Sequence, residues 1–354
     1  MNSIIPVIEN GFSGLSAAVR KTDLPLHRVC LVGDTNTMPL FEEALVTELK
    51  NVFETVQVYA FPAGEEHKNL DSIRGLLAFL MDHHFDRKDC IAAVGGGVAG
   101  DMAGFAASVY LRGIPVIQIP TTLLAQIDSS IGGKTGVDFE GYKNMVGAFH
   151  MPALVYTNPL ALTSLPKDQF ISGMGEVVKS ALLGDRDFYD WLKVHHDAVL
   201  AKDPQAMHTM IERTAGIKVR IVTEDPEEHG IRAFLNFGHT IGHAVEKYKN
   251  FALAHGVCVG LGISAAAHMS AERGYITEED VKDVQTSLAS FGLPLVTDGL
   301  DAREVLRITK SDKKMSNGQI RFILLKSLGE ACLCDDVTDE EILDGIRFIM
   351  EDAR

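Results

Sequence analysis

Three histidines in one short stretch carry the most suggestive chemistry in this chain. His239 and His243 stand four residues apart, and His255 follows twelve residues after the second. On a helix, the rings of the first two leave the same face. Imidazoles at that spacing, with no cysteine among them, are a reasonable ligand set for a catalytic divalent ion such as zinc. Gly238 and Gly242 would keep that face bare for whatever approaches. The plain alternative is three ordinary surface or core histidines. Three within seventeen residues, flanked by glycines, favour the metal.

Such a site needs elements to hold it, and the chain changes character along its length. Arg28–Gly33 is a short apolar run ending in Gly33-Asp34, which reads as a buried strand with a loop at its carboxyl end. A helix over 40–49, a strand over 56–61, a helix over 70–81, a strand over 90–94, a helix from Asp101 and a strand over 116–119 follow. That alternation implies a parallel sheet covered on both faces, and such sheets bind ligands beyond the carboxyl ends of their strands. From about Thr163–Lys167 onward nearly every segment has helical period. Asp203-Pro204 opens a helix reaching past Lys218 and Arg220, and Thr277–Asp280 and Thr338–Glu341 read as capping boxes. Ser316-Asn317-Gly318 leads into a strand over 320–325, with a second over 331–334 to pair with it. The expectation is an α/β Rossmann-like domain over 1–165 and a mainly α-helical domain over 166–354, with a cleft between them built by both.

Two glycine-rich loops lie in the first domain. Gly95, Gly97 and Gly100, ahead of Asp101, fit G-x-G-x-x-G between a strand and a helix, where amides and a helix N-terminus suit a pyrophosphate. The fingerprint is displaced from the first strand, and Ile119-Pro120-Thr121-Thr122 stands where an acidic residue is usual. A turn chosen for close helix packing is the alternative. Further on, Gly132-Gly133-Lys134-Thr135 resembles a P-loop but lacks the first glycine, which excludes a nucleotide triphosphatase. What remains is a polar loop with Asp128, Lys134 and Lys143, suited to an anionic polyol. In the second half, Glu176 and Lys179 lie three apart on one helical face, and a surface salt bridge is the plain reading of that pair.

Composition narrows the class. At 354 residues, 46% hydrophobic and 23% charged, the chain suits a globular protein of two domains. Asp101, Arg112 and Asp128 interrupt the most apolar region, and the first residues lack a basic segment and cleavage site, so a cytoplasmic enzyme is expected. Five cysteines without a Cys-x-x-Cys pair read as reduced and mostly buried. A net charge of -15 argues against nucleic acid and anionic membranes as partners, while leaving room for an anionic small molecule held by a local cluster of cations.

Taken in order, Gly95–Asp101, Thr121-Thr122, Asp128–Thr135, Lys143-Asn144, Glu176–Lys179, Asn236–His243 and His255-Gly256 resemble one family, the 3-dehydroquinate synthases. The resemblance covers nearly the whole chain. It implies a homodimeric enzyme of the shikimate pathway that uses NAD and Zn2+ or Co2+ to convert 3-deoxy-D-arabino-heptulosonate 7-phosphate to 3-dehydroquinate and phosphate. It implies metal ligation by Glu176, His239 and His255, which moves His243 from the metal to the substrate. NAD would be held by Asp34, by Gly64, Glu65, Glu66, His67 and Lys68, by Gly97, Val98, Ala99, Gly100 and Asp101, by Thr121 and Thr122, by Lys134 and Lys143, and by Ala161, Leu162, Thr163 and Ser164. Substrate would meet Asp128, Lys134, Asn144, Lys179, Lys218, Arg232, Asn236, His243 and one of Lys313 or Lys314, while Arg112 would reach the partner subunit's site. Gly173-Met174-Gly175 before the glutamate, Tyr142 before Lys143, and His67 depart from the usual family residues without removing a charged or ligating group.

The implied chemistry is transient oxidation of a ring hydroxyl, β-elimination of phosphate, re-reduction, ring opening and an intramolecular aldol closure. Cations that stabilise the departing phosphate are what this substrate demands. Three rivals are a metal-dependent polyol dehydrogenase, a sister sugar phosphate cyclase, and a non-catalytic NAD- or metal-binding module. Glu176 and the many lysines and arginines weigh against the first, and Asp128–Lys134 with His243 against the second. Retention of every ligand and cation weighs against the third.

Overall fold

The computed structural model describes residues 5–225, 230–311 and 321–351. By internal contacts the chain divides into two compact units, one of residues 1–165 with 207–219, the other of 166–206 with 220–354. In sequence order the first contains β1 (Val7–Ile8), α1 (Leu15–Arg20), β2 (Arg28–Asp34), α2 (Met38–Lys50), β3 (Thr55–Phe61), α3 (Leu70–Asp82), β4 (Cys90–Gly95), α4 (Gly97–Val109), β5 (Val116–Pro120), β6 (Lys134–Phe139), β7 (Tyr142–Phe149) and β8 (Leu154–Thr157).

Six of these strands form one parallel sheet in the order β1-β8-β5-β4-β2-β3. Alternate residues of each strand feed two cores, as the pleat requires. Cys30, Val32, Ile91 and Ala93 pack under Ile73, Leu76 and Leu80 of α3 and Met102, Ala103 and Ala106 of α4. Leu31, Ala92 and Ile117 face the other way, beneath Leu15 and Val19 of α1 and Leu45 and Leu49 of α2. The chain leaves β2 in one direction to β3 and returns on its other side as β4, so strand order reverses between β2 and β4. A crevice opens at such a reversal, at the carboxyl ends of the two strands.

Local structure differs from the sequence expectation in three places. Helix α4 starts at Gly97, four residues ahead of Asp101, because its glycines are used for packing. A Cβ at Gly100 would stand 2.8 Å from Gln118 Oε1, and one at Gly104 2.5 Å from Thr135 Cγ2. The segment read as a loop around Asp128 to Lys143 is instead a π-helical turn, Ala125–Ser129, followed by the antiparallel hairpin β6–β7. Its two-residue turn has Glu140 and Gly141 at φ 49° and 78°, the conformation that matches hairpin twist. Strands β1 and β8 were not anticipated, the first being two residues long.

The second unit is mainly helical: α5 (Lys167–Gly184), α6 (Arg186–Val194), α7 (His196–Leu200), the ends of α8 (Pro204–Glu224), α9 (His239–Tyr248), α10 (His255–Glu272), α11 (Glu278–Ser290), α12 (Ala302–Ser311), the strands β9 (Phe322–Ser327) and β10 (Glu330–Cys334), and α13 (Asp339–Phe348). Asp203 caps α8 by accepting from the amides of Gln205 and Ala206 at 3.0 and 2.9 Å, with Pro204 at the first position. The strands β9 and β10 pair antiparallel. Lys313, Lys314 and the Ser316-Asn317-Gly318 turn lie outside the described residues. Helix α10 is apolar or small around its whole circumference, as a helix packed on all sides must be, and it touches α5, α9, α11, α13 and β9. Four of the cysteines are buried, Cys332 is half-buried, and all five are free. No helix among the described residues is long and apolar enough to cross a membrane.

Both capping boxes form, and one is tied to α10. Arg273, just past α10, donates from Nε to Glu341 Oε1 at 2.6 Å and from Nη2 to Glu341 Oε2 at 3.0 Å, while Glu341 closes the box on Thr338. The Arg273 bond, ahead of every other influence, holds the Glu341 carboxyl down at about 2. Because the folded value lies below the ordinary one, this contribution is complete above roughly pH 4.5 and disappears as pH falls through about 2. Glu341→Gln should therefore cost about 1 kcal/mol at pH 7. In denaturant titrations the gap between variant and wild type should narrow steadily from pH 4.5 downward; a gap that stays constant to pH 3 contradicts this.

Candidate active site

In the second unit, backbone contacts between helices set the geometry. A Cβ on Gly256 would collide with the Ser172 carbonyl, and one on Gly175 with the Gly256 carbonyl, so α5 and α10 cross main chain to main chain. The Gly256 amide donates to Ser172 Oγ at 3.0 Å across that crossing. Helices α9 and α10 meet the same way: a Cβ on Gly262 would strike Gly238 O, and one on Gly242 would lie 2.7 Å from Cys258 O. Gly238 itself sits at φ 75°, which only glycine adopts without strain. Gly238 and Gly242 thus serve helix packing; they do not leave an open face for a ligand.

The residues beside these glycines converge. Glu176 Oε1 lies 3.3 Å from His239 Nε2 and 3.3 Å from His255 Nε2. His239 Nδ1 is 3.0 Å from Phe237 O, so it carries the proton and leaves Nε2 as the lone-pair nitrogen. His255 Nδ1 is 3.3 Å from Glu246 Oε2, which orients that ring likewise. Glu176 is 2% exposed, and neither of its oxygens has a well-aligned hydrogen bond. Lys179, equally buried, forms an ion pair with it one turn on. The plain reading of that pair as a surface salt bridge is thereby excluded.

This arrangement fits a divalent ion. Ligands about 2.0–2.1 Å from a tetrahedral zinc are separated by roughly 3.3–3.4 Å, the spacing seen between Glu176 Oε1 and each imidazole nitrogen. His239, His243 and His255 also present ligating atoms within 4.8 Å of one another, but His243 is the exposed member. The charges in the cluster act strongly on one another. Burial alone would raise the Glu176 carboxyl, yet Lys179 and then His239 hold it well below the usual range. Burial would lower His255, but Glu176 and Glu246 outweigh it and raise the ring to about 9. His243 goes the other way, held down by desolvation and then by the two neighbouring imidazoles. Arg232 is buried and Asn236 exposed at the end of the short turn Ile231–Asn236 that precedes α9.

In the first unit, the residues singled out for NAD gather at the carboxyl edge of the sheet. Asp34 ends β2 and accepts from the Asn36 and Thr37 amides and the Thr37 hydroxyl at 2.8–2.9 Å. Gly64 to Lys68 follow β3, Gly97 to Asp101 follow β4, Thr121 and Thr122 follow β5, and Ala161 to Ser164 follow β8. The first turn of α4 contains no acidic side chain to compete for its amides. A Cβ on Gly96 would stand 3.0 Å from Thr122 Cγ2, and one on Gly97 3.3 Å from Ser129 Oγ, so side chains there would fill the cradle. The motif fits a pyrophosphate and meets the reversal in strand order at β2 and β4. Ala161 and Leu162 point into the core.

Further residues of the first unit pair off. Lys218 donates to Asp128 Oδ1 and Asp128 O, both at 2.6 Å, on the π-helical turn, a distortion often found at functional sites. Lys68 is 4% exposed and bonded to Asp101 and Asn144, while Lys134 and Lys143 are exposed on the hairpin. Arg112 is not brought to these residues. It follows α4 on the side of the amino ends of the strands, in a left-handed segment with Leu111 and Gly113. Glu246 and Asp138 were missed by sequence reasoning. Glu246 did leave a signal, lying seven residues after His239 and three after His243 on one helical face.

The fold is that of an enzyme of the sugar phosphate cyclase type. The structure superposes on 2-epi-5-epi-valiolone synthase from Streptomyces hygroscopicus subsp. jinggangensis, solved with NAD+ and Zn2+, with a TM-score of 0.87 at 26% identity over 96% of this chain and 94% of that one. It superposes also on 2-deoxy-scyllo-inosose synthase complexed with carbaglucose-6-phosphate, NAD+ and Co2+, with a TM-score of 0.85 at 25% identity over 96% and 95%. The family descriptions 3-dehydroquinate synthase N-terminal and C-terminal match residues 58–172 and 173–315. The 3-dehydroquinate synthase of Acetivibrio thermocellus is 40% identical over 95% of this chain and 93% of its own length. The chain belongs to the 3-dehydroquinate synthase family.

The glycine crossing makes a prediction of its own. Gly256→Ala forces a methyl into the Ser172 carbonyl, so it should destabilise by about 1–3 kcal/mol or more and spread the ligand atoms. Thermal unfolding and metal content read the two effects; Gly216→Ala, which meets nothing within 4 Å, should leave metal content intact.

Proposed function

We propose that this chain is a 3-dehydroquinate synthase, converting 3-deoxy-D-arabino-heptulosonate 7-phosphate to 3-dehydroquinate and phosphate. The observation that carries the reading is the buried Glu176 carboxylate, 3.3 Å from two imidazole nitrogens, in a chain 40% identical to a named synthase over 95% of its length. Glu176, His239 and His255 would hold Zn2+ or Co2+, and the carboxyl edge of the first unit's sheet would hold NAD. When bound, the ion supplies Lewis acidity to a substrate hydroxyl and NAD accepts and returns hydride.

The chain's own residues supply the rest. Glu246 and the Phe237 carbonyl fix the two imidazoles in the tautomer that offers Nε2. Lys179, Lys218 and Arg232 are buried cations suited to the phosphate and carboxylate of the substrate, the guanidinium by a two-pronged bond. They stabilise the charge that develops as phosphate leaves. His243, held in its neutral form beside the ligand residues, has a ring nitrogen able to take or hold a proton during elimination. Asp128, kept in place by Lys218, and the amides of Asn144 and Asn236 would orient hydroxyls; Lys134 stands near the hairpin base to serve substrate or cofactor, and Lys143 the cofactor. The functional unit is a homodimer in the cytoplasm, and Arg112, which follows α4 on the side of the amino ends of the strands, serves the partner's site.

The test is phosphate release from the heptulosonate phosphate with NAD far below substrate. Many phosphates per NAD, no lasting NADH absorbance and loss of activity on chelation are expected. NADH accumulating with turnover, or oxidation of simple polyols in place of this substrate, would make the chain a dehydrogenase. Glu246→Gln should weaken metal affinity roughly 10- to 100-fold while the protein stays folded; unchanged affinity in a competition titration would remove Glu246 from the metal site.

A further inference from the structure

Between strands β5 and β8 the parallel sheet opens. Their pairing ends at Gln118 and Val155, two residues short of Pro120 and Thr157, where the strands themselves end. Past that point Pro120 pairs with Gly95 of β4 and Thr157 with Ile8 of β1, each on its outer side. One side chain spans the fork. Gln126, on the π-helical turn and 0% exposed, donates from Nε2 to Pro120 O at 3.2 Å and to Asn158 O at 2.8 Å. Facing two carbonyls, the amide can stand only one way round, with its NH2 group in the fork. Its Oε1 is buried without a hydrogen-bond partner among the described residues. A residue placed there for packing alone would be better apolar, since methionine fills a similar volume without an unsatisfied acceptor.

We infer that Gln126 is a positioning residue that holds the two cofactor segments and the Asp128 turn in register with one another. Pro120 is followed at once by Thr121-Thr122, and Asn158 by the turn Pro159–Ser164, so both segments singled out for NAD leave from the lips of the fork. Asn158 is itself a junction. Its carbonyl accepts from the Ala161 amide at 3.1 Å, and its Oδ1 accepts from the Leu160 and Gly11 amides at 3.0 and 2.8 Å. Asp128 stands two positions after Gln126 on the same turn, held by Lys218. One NH2 group thus ties both cofactor segments to the carboxylate assigned to substrate. Being fully buried, Gln126 acts through these neighbours and not by touching a ligand. This role rests on the reading above in which NAD lies along this edge and Asp128 meets substrate.

The variants are Gln126→Met, which keeps the volume and removes both donors, and Gln126→Glu, whose carboxylate has none and whose protonated form has one. The NAD dissociation constant, KM for the heptulosonate phosphate at saturating NAD, metal content and amide hydrogen exchange are read in each. Gln126→Met should weaken NAD binding roughly tenfold, raise KM, and speed exchange in both 120–130 and 157–164. Metal content, which belongs to the second unit, should not change. In Gln126→Glu, NAD affinity relative to wild type should recover as pH falls and the carboxyl gains its proton, a recovery the methionine variant cannot show. A purely structural role would lower the melting temperature and leave NAD affinity and KM within about twofold of wild type. That result, or a glutamate variant without the recovery at low pH, overturns the proposal. If Gln126→Met does not fold, Gln126→Asn, with its donors on a shorter arm, is read in the same way, and wild-type NAD affinity and exchange in it overturn the proposal. If wild type binds NAD but releases no phosphate, the functional reading fails, and NAD affinity and exchange still decide the role of Gln126; a wild type that binds no NAD overturns both.

Discussion

Main-chain contact between helices is the constraint on which the metal centre depends. Carboxylate and imidazole side chains are short, so their tips converge only if the backbones bearing them are already close. Here the residue next to each proposed ligand is a glycine: Gly175 before Glu176, Gly238 before His239, Gly256 after His255. Each lies where a methyl group would strike a neighbouring carbonyl or its helix. The helices lose some intrinsic stability through these glycines. They gain approach distances at which a side chain of two or three carbons reaches its partner, on rigid elements that hold the geometry.

The first unit uses the same device for another end. Helix α4 is made of glycine and alanine where it lies on β5 and β6, and its first glycines leave the space over the helix N-terminus open. Gly95–Gly100 admits two uses, a turn for close packing and a turn for binding phosphate. The structure divides them by position: Gly96 and Gly97 bound the cradle, while Gly100 and Gly104 accommodate Gln118 and Thr135. One helix can do both because its amino end faces the ligand crevice and its side faces the sheet and hairpin.

What could be read from the sequence was what depends on local period. Buried strands β2 to β5, helices α2 and α3, the Asp203 cap and both capping boxes are short-range patterns, and they stand where the pattern puts them. The His239–His243 spacing likewise marked a site. Spacing could not tell which imidazole faces the carboxylate, because Glu176 is sixty-three positions before His239 and meets it through a helix crossing. Resemblance supplied that assignment. The hairpin β6–β7 escaped notice because its turn is Glu140-Gly141, where Asn-Gly or Asp-Gly is the stronger signal. Strand β1, at two residues, has no period to detect. The glycines around His239 make room for a neighbouring helix and not for a ligand, and a missing side chain looks the same in sequence in either case.

Charge explains how an acidic protein can be built for an anion. A buried ammonium without a counter-charge is strongly unfavourable, and each buried lysine of the two sites has one: Lys68 with Asp101, Lys179 with Glu176, Lys218 with Asp128. The pairs differ in what a ligand could change. Around Glu176, one carboxylate faces an ammonium and two imidazoles, one of them raised to about 9, so an incoming cation competes with protons for the same oxygens and nitrogens. Once the cation takes the carboxylate, Lys179 loses its partner's undivided charge, and an anion arriving next to it meets an ammonium less fully neutralised. In the proposed reading, metal binding would raise the site's affinity for an anionic substrate through Lys179 as well as through the metal's own charge, with the buried pair Glu176–Lys179 coupling the two.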